Sequence, residues 1–252
     1  MTADARIHRI QEQRAQQSSR AAHGGLRVIG GSTLWRNRWR QRQRQAAGFG
    51  ALAVLVCLIG VGVARSPLVH TIVLLAGLAL ASVAGTLLFD GLPYQHAARA
   101  MQRVVAHLTQ ALDDRYTLLR DVTLSDAPTR CDAVLVGPHG VAALEVTTTD
   151  GDFLCDGQRW YRYETNGYQR RWEHNPSVQC LQHVHSLRAF LAAHGLGAVP
   201  VCGFVVIGGG SITVTGRTTI PIVQRRALAA TIQQLPPVPD LPLAQVVDAL
   251  IL

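Results

Sequence analysis

The chain contains no lysine: all 24 of its basic side chains are arginine. A mechanism built on a lysine amine is therefore excluded, while guanidinium chemistry, charged at every working pH, is available. Charge of either sign is sparse, at 16% of residues against 48% hydrophobic. That balance excludes a disordered polypeptide and is unusual for a wholly soluble one. Cysteine is scattered at Cys57, Cys131, Cys155, Cys180 and Cys202, odd in number and without a CxxC pair. Neither a disulfide framework nor a structural zinc site fits that usage, which suits reduced thiols in the cytosol. The glycine run Gly208–Gly210 lacks the Gly-Lys-Ser/Thr ending of a phosphate loop, and no G-x-S-x-G elbow occurs, so nucleotide hydrolysis and esterase chemistry have no support.

What charge there is lies unevenly. Residues 1–46 hold ten arginines against Asp4 and Glu12, and so carry the whole formal excess of +8. Residues 90–252 carry 13 Arg and 14 acids, which excludes a generally basic nucleic-acid surface there. Residues 1–45 read as a basic flexible tail. Its last part sets five arginines between and after Trp35 and Trp39, directly before the uncharged run Ala46–Ala64; after Arg65–Pro67 a second run, Leu68–Phe89, follows. At about 1.5 Å per residue each run is long enough to cross roughly 30 Å of hydrocarbon. Residues 46–89 are therefore expected to form two transmembrane helices. The arginine distribution predicts a multi-pass inner-membrane protein with both termini in the cytoplasm. Gly77, Ala81 and Gly85 recur every four residues, a stripe for packing on the first span or for a homodimer through the second.

Residues 90–252 read as a cytosolic α/β domain. A helix is predicted around His96–Asp114, from Met101, Val104, Val105, Leu108 and Leu112, and strands at YTLLRDVTL, CDAVLV and VAALEV. A polar, aromatic excursion spans Asp152–Trp172. Asn175 then caps a helix over Pro176–His194, the strand VPVCGFVVIG follows, and a short strand near Ile220 and a helix over Ala227–Gln234 close the domain. The order is αβββ, excursion, αβ, on a central mixed sheet.

The hairpin Cys131–Val146 poses the functional question. If Pro138 and His139 form a two-residue loop, Asp132 faces Glu145 in a strand pair that is apolar on both sides. Two opposed carboxylates in such a place need a cation, a shared proton or a positive side chain. A divalent metal is one solution; a structural pairing with arginine is the other. In the same register Arg130 faces Thr147, within reach of the acids.

From about Arg99 to Ala229 the chain resembles a NERD (nuclease-related) domain, a distant relative of the PD-(D/E)XK nucleases with a restriction-endonuclease-like fold. The resemblance rests on Asp121–Leu124, on the hairpin with its Asp and Glu strands, on Asp150–Gly151, on Trp160 and on Asn175–Gln179. It implies that Asp132 and Glu145 are the metal-binding acids, for Mg²⁺ or Mn²⁺, that Gln179 lies near the site, and that the substrate is nucleic acid. Two departures stand out. Thr147 replaces the lysine of the Glu-x-Lys pattern, and Ala100, Met101 and Gln102 stand where the first helix usually supplies an acid. Arg130 is the candidate substitute for the lysine, or the neutraliser of the acid pair. The resemblance thus supports a membrane-anchored, metal-dependent nuclease, or alternatively an inactive pseudonuclease that binds nucleic acid or a protein partner.

Two further features carry chemistry. Gln179 and His183 share a polar helix face with Gln182 and Ser186. The segment Gln158–Trp172 interleaves arginine with aromatic residues, which suits either base and phosphate binding or an exposed hairpin that covers the sheet.

Overall fold

A computed structural model describes residues 25–30, 33–63, 67–89, 92–124, 130–147, 151–164 and 167–251. Residues 32–99 form one compact unit and the remaining described residues another.

The first unit is a pair of helices, α1 (Thr33–Val63) and α2 (Pro67–Phe89), packed side by side. Small residues make the seam: Ala46 and Ala53 on α1 and Gly77 and Ala84 on α2 are buried. A Cβ added at Gly77 would stand 2.4 Å from the Cys57 sulfur, so a larger residue there would have to displace that side chain. Ala81 and Gly85 lie off this seam and are exposed, so the four-residue stripe serves α1 only at Gly77. Among the described residues, one helix segment is long and apolar enough to cross a membrane: Thr71–Phe89, with mean hydropathy 2.4. Leu75, Leu78 and Phe89 on it are exposed.

The second unit is mixed α/β. Its central sheet has strands β1 (Arg27–Ile29), β2 (Thr117–Thr123), β3 (Arg130–Gly137), β4 (Gly140–Thr147), β8 (Val201–Ile207) and β10 (Ile222–Gln224), in the order β1-β2-β3-β4-β8-β10. The β2–β3 and β3–β4 pairs are antiparallel and the others parallel. Strand β1 lies in the stretch expected to be a flexible tail; Leu26 enters the core beside it and Arg27 N–H donates to the Tyr116 carbonyl at 3.1 Å, which anchors the edge strand.

Helix α3 (Leu92–Ala111) packs Met101, Val104 and Leu108 on one face of the sheet with the short helix α5 (Leu228–Gln233). Helix α4 (Pro176–Ala193) covers β4 and β8 on the other face through Val184, Leu187 and Leu191, joined by α6 (Leu243–Ile251) over β2 and β3. The Asn175 side chain caps α4, accepting from Val178 N–H at 3.2 Å. Strand β4 is buried at all eight positions, because it is central and covered on both faces.

The β3–β4 register is the predicted one, from Gly137↔Gly140 to Ala133↔Leu144. Gly140 makes the two-residue loop workable. Its φ is +106°, and a Cβ there would meet the Pro200 carbonyl oxygen at 2.4 Å, so no other residue fits the turn.

The excursion is a small sheet of its own: β5 (Asp152–Asp156), β6 (Arg159–Tyr163), β7 (Gln169–Arg171) and β9 (Ser211–Thr215), ordered β7-β6-β5-β9. Phe153, Trp160 and Cys155 bury its inner face against Cys180, Val205, Ile207 and Ile220. Trp160 Nε1–H donates to Ser177 Oγ at 3.0 Å, tying the sheet to the first turn of α4. Trp160 is therefore core, which settles its part of the aromatic segment in favour of packing. The β6–β7 pairing fits the hairpin expected around Asn166 and Gly167; Asn166 itself lies outside the described residues.

Candidate functional site

The regular alternation of the sheet breaks at one level. On β2, Leu119 and Val122 both lie on the face covered by α4 and α6 although they are three apart, and on β3, Cys131 and Val134 do the same while Ala133 faces away. The residues at the break are Asp121, which has φ +60°, and Asp132. Register on either side, Arg120↔Ala133 and Val122↔Cys131, puts Asp121 and Asp132 opposite each other, and the β4 residue at the same level is Glu145. Three carboxylates thus lie across three adjacent strands.

The ordered β3–β4 ladder stops at Ala133. Beyond it, Val146 N–H donates to Asp132 Oδ2 at 3.4 Å, a side-chain bond at the end of the main-chain ladder. Asp132 and Glu145 therefore meet at the predicted level, but Asp132 reaches along the strand edge instead of standing squarely beside Val134. Burial, and then the charge of Glu145, push the Asp132 carboxyl up from 3.8 to about 7; the Val146 N–H and His183 act the other way, and Asp121 adds to the rise. The acid pair is thus eased in part by a retained proton.

Arg130 lies beyond the ordered part of the β3–β4 ladder, which ends at Ala133↔Leu144. It pairs with Thr123 on β2, and its guanidinium makes an ion pair with Asp121 Oδ1, the two side chains being 29% and 12% exposed. The positive φ of Asp121 breaks the alternation beside Arg130, so the arginine expected to neutralise Asp132 and Glu145, or to stand in for the lysine, is engaged by a third acid.

The group that reaches Glu145 is His183. Its Nδ1 stands 3.3 Å from Glu145 Oε2, with both side chains more than nine-tenths buried. Neither atom completes a hydrogen bond within the described residues, so two buried polar atoms face each other with bonding capacity to spare. Gln179, half-buried, precedes His183 by one turn of α4 and so shares its face. Cys180 faces the sheet, its thiol donating to the Ala143 carbonyl at 3.8 Å, and burial followed by the Glu145 charge pushes it up to about 12. Cys131 is raised well above the usual thiol range by burial first and the Asp132 charge second.

Thr147, two residues after Glu145, is closed off. Its hydroxyl donates to the Val206 carbonyl at 3.2 Å and accepts from Gly208 N–H at 3.2 Å, so it completes the β4–β8 edge and is not free to act on a substrate.

Asp132 and Glu145 are hard oxygen donors suited to Mg²⁺ or Mn²⁺. No group of three or more metal-ligating side chains converges among the described residues. The donor set fits an ion held by two carboxylates and completed by water and phosphate oxygens, the usual habit of Mg²⁺ at phosphate-handling sites.

Residues 96–208 match the NERD family, the nuclease-related domain. The nuclease-related segment runs from within α3 to just past the end of β8, and holds Asp121, Asp132, Glu145, Gln179 and His183. No curated protein and no solved structure matches the chain. Sequence reasoning reached Asp132, Glu145 and Gln179, but gave no site role to Asp121 and weighed His183 only as part of a polar stripe. The signal for Asp121 was present in its place opposite Asp132, while that for His183 was its spacing of four from Gln179.

Proposed function

We propose that the nuclease-related domain hydrolyses phosphodiester bonds of nucleic acid with a divalent ion held by Asp132 and Glu145. The observation that carries this reading is the meeting of those two carboxylates at one level of the sheet, with Arg130 drawn off to Asp121, inside the segment that matches the family. Bound there, Mg²⁺ or Mn²⁺ supplies positive charge to the phosphate and acidity to a water. Asp132 and Glu145 hold the ion. His183 positions Glu145 through the Nδ1 contact, and as the imidazole touching Glu145 it takes up the proton-handling duty left vacant by lysine. Gln179, on the same helix face, orients a phosphate oxygen.

A second reading has its own observation. The Thr147 hydroxyl is consumed by β8, which favours a pseudonuclease that binds nucleic acid or a protein partner without cutting. Cleavage of labelled single-stranded DNA, duplex DNA and RNA by the full chain in detergent, with Mg²⁺ or Mn²⁺, decides between them. Metal-dependent cleavage abolished by both Asp132→Asn and Glu145→Gln supports hydrolysis; activity no higher than in the variants leaves the binding module.

We also read α1 and α2 as a two-span anchor in the inner membrane, with both termini on the cytoplasmic, arginine-rich side. The apolar length of Thr71–Phe89 and the exposed Leu75, Leu78 and Phe89 support it, as do the ten arginines before Ala46. Ala81 and Gly85, free of the α1 seam, are the surface for a homodimer. Recovery of the chain in the membrane fraction after a carbonate wash tests the anchor, and release into the supernatant counts against it.

A further inference from the structure

Helix α3 and the turn between β10 and α5 bring three arginines together on one surface of the second unit. A Cβ at Gly208 would lie 2.8 Å from that of Ala100, and His107 Nε2 stands 3.2 Å from the Arg226 carbonyl oxygen. Helix α3 therefore crosses the end of β8 at Ala100 and meets the turn at His107. Arg103 comes three residues after the first contact and four before the second, so it borders the same stripe of the helix. Arg225 N–H donates to the Ile207 carbonyl at 3.3 Å, which holds the turn against β8. Arg103 and Arg226 are exposed and Arg225 is half-buried. Among the described residues, none of the three forms an ion pair. The sequence explains why: residues 91–112 and 174–239, which supply this surface, contain no Asp or Glu. Residues 90–252 as a whole carry 13 Arg against 14 acids, so the positive charge here is a local concentration. Residues 95–112 and 221–235 also lack Phe, Tyr and Trp. The surface thus offers contacts to phosphate and no platform on which bases could stack.

We propose that this arginine surface docks on the anionic phospholipid headgroups of the membrane, an inference that rests on the two-span reading of α1 and α2. Helix α3 begins at Leu92, three residues after α2 ends at Phe89, so an anchored chain keeps α3 beside the headgroups. Each arginine near an anionic leaflet strengthens the association by about five-fold. Glu145 and His183 lie under α4, on the face of the sheet opposite α3 and α5. Docking through Arg103, Arg225 and Arg226 therefore leaves the acid pair turned away from the bilayer, toward the cytosol.

The test is the reaction of the full chain with phenylglyoxal, an arginine-selective dicarbonyl, read by mass spectrometry after reconstitution into vesicles of phosphatidylcholine alone or mixed with phosphatidylglycerol. Arg103, Arg225 and Arg226 should each react at least about five-fold more slowly in the anionic vesicles. The difference should fade as added salt screens the attraction. Arg159 and Arg171, exposed on the small sheet, should react alike in both. Equal reactivity of the three arginines in the two kinds of vesicle overturns the proposal. So does protection by a duplex oligonucleotide in neutral vesicles without protection by phosphatidylglycerol, which would make this a nucleic-acid surface. The anchor fails separately. A chain that the carbonate wash releases, but whose three arginines anionic vesicles still protect, keeps this surface and loses the anchor; a retained chain with unprotected arginines does the reverse.

Discussion

Asp132→Asn should stabilise the protein by an amount that grows as pH rises from about 4 and is complete above about 7. The folded state keeps the Asp132 proton up to about pH 7, whereas the unfolded chain loses it near 3.8. Between those values the fold binds more protons than the unfolded chain, so stability falls as pH rises through the window and the full cost remains above it. At about 1.4 kcal/mol for each pH unit of difference, the buried charge costs about 4 kcal/mol at pH 8. Asparagine keeps an oxygen to accept from Val146 N–H but adds an amide that needs a partner, at about 1 to 2 kcal/mol. The net gain is about 2 to 3 kcal/mol, or roughly 5 to 10 °C in melting temperature for a domain of this size. Thermal unfolding in EDTA, followed by tryptophan fluorescence, should show that gain at pH 8 and lose it by pH 4. A gain that stays constant with pH, or a loss of stability at pH 8, would refute the reasoning.

Gly140→Ala should cost more than about 3 kcal/mol, since it combines a left-handed φ with a Cβ 2.4 Å from the Pro200 carbonyl; a melting temperature within a few degrees of the parent would contradict the turn. Cys131, Cys155 and Cys180 are buried, with thiols pushed up chiefly by burial, so iodoacetamide at pH 8 should label them only after denaturation, as mass spectrometry would register. His183→Ala should lower metal-dependent cleavage by about 10² to 10⁴ while changing metal affinity far less than Glu145→Gln does, because His183 acts through Glu145; equal losses of affinity would make it a ligand instead.

Much of the mixed α/β unit was legible because its signals are local. The αβββ order, the α4 cap at Asn175 and the β3–β4 register followed from periodicity, Pro-initiated turns and a Gly-x-x-Gly loop. The parts that escaped are held by distant partners. Strand β1 pairs with β2 across 90 residues, and β9 pairs with β5 across 59, from Asp152 to Ser211; a three-residue edge strand carries no period of its own. Helix α6 has apolar spacing at Leu243, Val246, Val247 and Leu250, but follows a proline-rich run that reads as a chain end. At the site, simple alternation put Asp132 and Glu145 at one level and gave no sign that Arg130 is engaged by Asp121. A single residue with positive φ, Asp121, breaks the alternation beside it, and sequence periodicity cannot anticipate that break.

Whether Asp132 and Glu145 hold a divalent cation is read from the melting temperature of the full chain titrated with Mn²⁺, beside Glu145→Gln. A saturable rise equivalent to about 2.7 kcal/mol at a hundred times the dissociation constant is expected in the parent, and none in the variant. No rise in the parent, or the same rise in both proteins, would contradict it.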